Sequence, residues 1–159
     1  MVLDKITPEN IELCDMLKWD NDNLYLIHVK SGFGNTMRDL CAQISISANR
    51  LVQDRKATPS KEFVKKVYQS LKNKNGGEGY YGLAGAQTNN MMEDEFLELF
   101  DKQKHFVLAI LDTSTSEREL QNIEEFNSNI AKFSLDVLTK EMAGIGQNLQ
   151  IGQIKKGAN

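Results

Sequence analysis

Residues 11–30, IELCDMLKWDNDNLYLIHVK, decide how the rest of the chain is read. Ile11, Leu13, Asp15, Leu17 and Trp19 fall at every second position, so an extended segment would show them all on one face. Asp20-Asn21-Asp22-Asn23 follows, and Asx side chains bond their own backbone and tolerate left-handed conformations, which marks a turn. From Leu24 to Lys30 the alternation resumes, with Tyr25, Ile27 and Val29 on one face and Leu24, Leu26, His28 and Lys30 on the other. Two alternating runs across such a turn predict a β-hairpin. The register is the same whether the turn loop holds residues 20–23 or only 21–22: Trp19 opposes Leu24, Asp15 opposes His28 and Leu13 opposes Lys30. Opposed side chains leave a sheet on the same side, about 5 Å apart. Asp15, His28 and Lys30 are therefore expected together on a face otherwise made of Leu13, Leu17, Leu24 and Leu26. Polar groups in that setting are costly unless they are paired or open onto a cleft, so their gathering argues for a purpose.

Outward from the hairpin, Ser31 to Asn35 reads as a glycine-broken loop. Met37, Leu40, Cys41, Ile44, Ala48, Leu51 and Val52 then recur at helical spacing. Thr58-Pro59 reads as a helix start with proline in the first turn, and Phe63, Val64, Val67, Tyr68 and Leu71 form the stripe of that second helix. Residues 75–90 are rich in glycine and asparagine and predict a long loop whose spacing fits no phosphate-binding motif. An acidic helix is expected near Glu93 to Lys102. The apolar run His105 to Leu111 suits a buried strand. A helix over Asn127 to Met142, ended by Gly144 and Gly146, and a short strand from Leu149 to Ile154 complete the reading. The fold class is α/β (α+β), a mixed sheet with an N-terminal β-hairpin and flanking helices, in a single domain covering 1–159 or the C-terminal fragment of one.

Length and composition agree with one globular domain: 159 residues, 40% apolar and 26% charged. No apolar run approaches the roughly 20 residues of a membrane helix, and no N-terminal targeting pattern is visible. A cytoplasmic protein without a membrane partner is expected. Cys14 and Cys41 sit in apolar patterns and are expected as buried free thiols. Net charge is -3, which is not the signature of a dedicated nucleic-acid binder. Residues 50–74 run against that average, with eight basic residues and only Asp54 and Glu62 opposing them. Arg55, Lys61, Lys65, Lys66 and Lys72 are the candidate nucleic-acid contacts. An ordinary solvated helix face explains the same residues.

Cys14-Asp15-Met16-Leu17, the Asp20–Asn23 turn and Leu26-Ile27-His28-Val29-Lys30-Ser31-Gly32 together resemble the active-site hairpin of the PD-(D/E)xK nuclease superfamily. The resemblance implies a restriction-endonuclease-like fold, here lacking the first helix and strand of the complete core, and metal-dependent hydrolysis of DNA phosphodiesters. Carried over, Asp15 is a ligand of a divalent metal (Mg or Mn), Lys30 the catalytic lysine, and Gln43 a helper from the following helix. His28 departs from the pattern, standing where the family has an acid. Imidazole suits Mn, Fe, Ni or Zn better than Mg, so three readings stand: His28 as second metal ligand beside Asp15, His28 as general base beside a metal held by Asp15 and another acid such as Glu12, or a degenerate site with Asp15 and His28 as an ion pair. By strand alternation Glu12 points to the opposite face, which makes it the weaker ligand.

The Ile27-His28-Val29-Lys30 strand, the helix after it, the Phe106–Leu111 strand and the last helix-strand unit also resemble the C-terminal part of a family of larger, sporadically distributed bacterial proteins of uncharacterised function, and that distribution implies defence or mobile-element biology. His28-Val29-Lys30 also fits the phospholipase D-like enzymes, in which His is the nucleophile. Asn35 stands at that pattern's Asp, with Ser45, Ser47 and Asn49 as loose echoes. Such chemistry needs a second copy of the motif, which a homodimer would supply. The non-enzymatic alternative is a nuclease-shaped module that binds nucleic acid or a protein. His105 reads as a satisfied structural histidine.

Overall fold

The chain's computed structural model describes residues 1–73, 90–114 and 118–155. All but the last residue of the expected loop at 75–90 lies outside the described residues.

The hairpin forms in the expected register. Strand β1, Met16–Trp19, pairs antiparallel with β2, Asn23–Ser31, setting Trp19 opposite Leu24 and Leu17 opposite Leu26. Asn21 and Asp22 make the turn, because the Asp20 carboxylate accepts from the amides of Asp22 at 3.0 Å and Asn23 at 2.8 Å. Strand β2 runs parallel to β3, Gln103–Leu111, and β3 runs parallel to β4, Asn148–Ile154, giving a mixed sheet in the order β1-β2-β3-β4. Parallel neighbours require crossovers. Helices α1 (Met37–Lys56), α2 (Glu62–Asn73) and α3 (Glu93–Leu99) lie between β2 and β3, and α4 (Asn129–Gly144) lies between β3 and β4. Both crossovers step the same way across the sheet, so their shared handedness puts the helices on one face.

Burial follows from that arrangement. Leu24, Leu26, Phe106, Leu108 and Ile110 are buried beneath α1 and α4, which contribute Leu40, Ile44 and Ala48 and Ala131, Leu135 and Leu138. Tyr25, Ile27, Val29, Val107, Ala109 and Leu111 lie on the other face and are half-buried. Among the described residues the run from His105 to Leu111 is thus covered by helices on one side only, where its unbroken apolar character predicts cover on both. Cys14 and Cys41 are buried and free, and burial pushes the Cys41 thiol up to about 11. Among the described residues no helix is long and apolar enough to cross a membrane.

The first strand is shorter than its alternation predicts. It begins at Met16, and Leu13 and Cys14 are adjacent yet both fully buried, which alternation on a one-sided sheet forbids. The cause is the N-terminal segment. Val2 bridges to Met16, and the amides of Leu3 and Asp4 both donate to the Asp15 carbonyl, at 2.7 and 3.1 Å. The chain before Met16 packs between this segment and the core instead of lengthening the hairpin.

The second helix also starts later than its sequence signal. Thr58–Pro59 is a cis peptide and α2 begins at Glu62. Its first amides are satisfied from a distance: the Asp54 carboxylate, in the last turn of α1, accepts from Phe63 at 2.9 Å and Val64 at 3.3 Å. Asp54 is 2% exposed and lies 3.5 Å from Arg50. Replacing it by alanine orphans two buried donors and is expected to cost about 2 kcal/mol in urea denaturation. Asp54→Asn, which keeps one acceptor oxygen, is expected to recover part of that loss.

Candidate metal and phosphodiester site

The N-terminal segment that shortens β1 also builds the acidic centre of the molecule. Because Asp4 donates its amide to the Asp15 carbonyl, its side chain emerges beside Asp15. Lys5 then takes a left-handed conformation, φ 59°, and turns its amide onto the Glu12 carboxylate at 3.1 Å. Asp4, Glu12 and Asp15 each bring a carboxylate oxygen within 4.8 Å of the others, and a group so spaced could hold a metal ion. All three are half-buried. Burial, before anything else, raises the Glu12 carboxyl, with Asp15 and Asp4 adding to it. Burial likewise raises Asp15, opposed by the Val29 amide and by Lys30, while Asp4 pushes it further up.

The Asp15 carboxylate accepts from the Val29 amide at 2.6 Å. That bond fixes the cluster beside the carboxyl end of β2, the end of a parallel sheet outside which ligands commonly sit. Lys30 is the next residue along, half-buried, and its charge acts on Asp15. Among the described residues its ammonium makes no hydrogen bond or ion pair. The structure therefore brings together Asp15 and Lys30, as the hairpin register predicts, and adds Asp4 and Glu12. The expectation that Glu12 points away assumed that the strand continues through it; residues 11–15 are not strand, so alternation does not apply there.

His28 does not join them. Its side chain faces the core among Leu26 and Leu108, 2% exposed, and its Nε2 has no hydrogen-bond partner. Burial alone pulls the imidazole down to about 4, with no charge acting on it. The ring is thus neither the ion-pair partner of Asp15 nor a member of the ligand group, which corrects both readings. A nucleophilic role is also unsupported, since a buried ring does not meet a phosphodiester from solvent. The residues echoing the phospholipase D pattern serve the helix instead: the Asn49 amide donates to the Ser45 carbonyl at 2.9 Å, and the Ser47 hydroxyl to the Ile44 carbonyl.

Gln43 is exposed at the margin of the α1 stripe that packs on the sheet, and no contact ties it to the cluster. Of the basic candidates, Lys61 pairs with Asp101 at 2.7 Å, Lys65 with Glu62 at 2.9 Å, and Lys66 with Glu9, which also holds Arg50. Lys72 lies over the Tyr68 ring. Only Arg55 of this group makes no ion pair or ring contact among the described residues. Three cations of the run, Arg50, Lys61 and Lys66, are thus held by carboxylates from distant parts of the chain, and Lys65 by one in its own helix. His105 is satisfied as expected, but on the open face: it stacks on Tyr25 and is hydrogen-bonded to Asn23 at 2.9 Å and to Gln150 at 3.3 Å. At the carboxyl end of β3, Asp112 is bound by Arg118 at 2.7 Å and stands outside the acidic group.

Asp4 has no place in the sequence reading, and Glu12 stands there only as the weaker ligand; both precede the hairpin in segments too short to show periodicity.

In comparison with known proteins, residues 2–154 fit the model of a family described as "Family of unknown function (DUF6119)". No curated protein and no solved structure matches the chain.

Proposed function

The chain belongs to this family of unknown function, DUF6119, and from that premise we propose that it is a metal-dependent phosphodiesterase acting on DNA. The observation that carries the reading is the meeting of the Asp4, Glu12 and Asp15 carboxylates beside Lys30. Three oxygen donors within reach of one another suit a hard divalent cation such as Mg or Mn. Two of the three are held in surroundings that disfavour their charge, and a cation relieves that cost. A divalent ion at such a site supplies charge neutralisation for a phosphodiester and acidifies water.

The chain's own groups divide the remaining work. Asp15 is oriented by the Val29 amide, so its second oxygen is the one left for the cation. Glu12 is held by the Lys5 amide in the same way. Lys30, charged and without a hydrogen-bond partner among the described residues, is placed to steady the negative charge that builds on a phosphoryl oxygen. In this reading His28 supports the core beneath the site and takes no part in the chemistry.

The test is calorimetric titration of Mg²⁺ and Mn²⁺ into the full chain and into Asp15→Asn. One ion per chain is expected, with binding lost or weakened at least ten-fold in the variant. At one hundred times Kd the ion is expected to stabilise the fold by about 2.7 kcal/mol, read as a rise in Tm. Absence of binding by both ions to the parent chain would overturn the assignment.

A further inference from the structure

At the opposite end of the sheet from the acidic cluster lies a cleft of about 460 Å³. It is walled by Arg55 from the last turn of α1, by Lys102, Gln103 and Lys104 at the start of β3, and by Gln147 and Asn148 at the start of β4. Lys104 stands opposite Leu24 in the register and Ile110 opposite Lys30, so six residues, roughly 20 Å at strand spacing, separate the two ends.

The charge balance of this cleft is uneven. Asp101, its one acid, is already bound to Lys61 at 2.7 Å. The Lys104 ammonium is half-buried and donates only to the Lys102 carbonyl at 3.3 Å, leaving two of its three protons without a partner among the described residues. Arg55 makes no ion pair among the described residues either, and Lys102 spends its ammonium on the Asn21 carbonyl at 2.6 Å. Burial, then the neighbouring Arg55 and Lys61, disfavour the charged form of Lys104, and Asp101 only partly offsets them. A half-buried cation among other cations, whose one nearby carboxylate, Asp101, is already bound to Lys61, is a costly arrangement unless an anion joins it. The volume is in the range of small-molecule sites, and the neutral walls at Gln103, Gln147 and Asn148 carry amide donors.

We propose that this cleft binds a phosphate group, held by the Arg55 guanidinium and the Lys104 ammonium with the side-chain amides of Gln103, Gln147 and Asn148 around it. Arg supplies a planar fork of donors and Lys a point charge, the pairing that phosphate oxygens accept well. The phosphate belongs to a free ion, a nucleotide or a nucleic-acid strand, and the same site would take it from each. The site stands independently of the acidic cluster.

The experiment is calorimetric titration in EDTA, so that no divalent ion and no cleavage enters. Inorganic phosphate, a 5′-mononucleotide and an eight-residue single-stranded oligonucleotide are titrated separately into the full chain. The same probes are titrated into Lys104→Gln, Arg55→Gln and, as an exposed cation of α4 outside the cleft, Lys140→Gln. Saturable binding of at least one probe is expected, weakened ten-fold or more by Lys104→Gln and by Arg55→Gln, and unchanged by Lys140→Gln. Equal affinity for phosphate and nucleotide identifies a small oxyanion as the ligand. A ten-fold gain for the nucleotide identifies a base-bearing ligand, and a further gain for the oligonucleotide a strand. No saturable binding, or equal weakening by all three substitutions, would overturn the proposal. Unchanged Tm in the variants separates a lost site from a lost fold.

Discussion

Acidification from pH 7 to pH 4 is expected to cost the fold about 3 kcal/mol through His28 alone. The imidazole is held near 4 in the folded chain by burial, against an ordinary value of about 6.5 in the unfolded one. A depressed imidazole means that the unfolded state binds the proton more readily. Its stabilising share is therefore complete above pH 6.5 and drains away as the pH falls from there to about 4. At pH 4 the unfolded chain is almost wholly protonated at this residue and the folded chain half so, which gives the stated loss. No charged partner acts on the ring, so no compensating pair complicates the sign.

His28→Leu isolates the effect. Leucine is close in size, suits a face shared with Leu24 and Leu26, and removes the Nε2 that has no partner. Urea denaturation of the parent and the variant at pH 7 and pH 4 is expected to show a parent that loses about 3 kcal/mol more than the variant. At pH 7 the variant is expected to match or exceed the parent by up to about 1 kcal/mol, since an unsatisfied buried polar atom is gone. Parallel losses in the two proteins would show that the ring is solvated or paired in solution.

The hairpin was legible because two physical signals agreed: Asx residues that close a tight turn, and alternation that fixes which residues oppose which. The same reasoning failed one residue before β1. Alternation from Ile11 to Asp15 is a pattern of only three apolar or acidic positions, and the contact that overrides it comes from Val2, Leu3 and Asp4. Pairing with a separate segment leaves no periodic trace in a sequence. For that reason Asp15 and Lys30 could be placed from residue pattern alone, whereas Asp4 and Glu12 could not.

His28 shows the complementary limit. The pattern put it on the same face as Lys30, which is correct, but the depth of a residue beneath helices depends on where the covering elements end. Leu108 beside it is fully buried, while Lys30, two residues further along, is half-exposed at the strand's end. The basic stretch failed for another reason. Counting charges along the chain ignores acids brought in from elsewhere, and Glu9 and Asp101 neutralise Arg50, Lys66 and Lys61 across long sequence separations. Arg55 has no acid partner among the described residues, and the chain places Lys104 beside it.

For the acidic cluster, the decisive result is expected to be a change of opposite sign in activity and stability. Asp15→Asn keeps an oxygen to accept the Val29 amide, now bonded at 2.6 Å, and loses only the charge. Because burial and Asp4 hold the Asp15 carboxyl above its ordinary value, its ionised form is a burden on the metal-free fold at neutral pH. The neutral amide removes that burden, so the metal-free Tm of the variant is expected to equal or exceed that of the parent. Removal of a ligand charge is nevertheless expected to lower metal-dependent cleavage of a DNA oligonucleotide by about three orders of magnitude, or roughly 4 kcal/mol of transition-state stabilisation. Lys30→Met is expected to cost about two orders of magnitude, and the double variant little more than Asp15→Asn alone, because the two groups serve one charge. A residue kept for folding would lower Tm when changed and carry activity down with it. Loss of activity with Tm held or raised marks a site whose charges are maintained against the preference of the fold. Cleavage retained in both single variants would remove Asp15 and Lys30 from the chemistry.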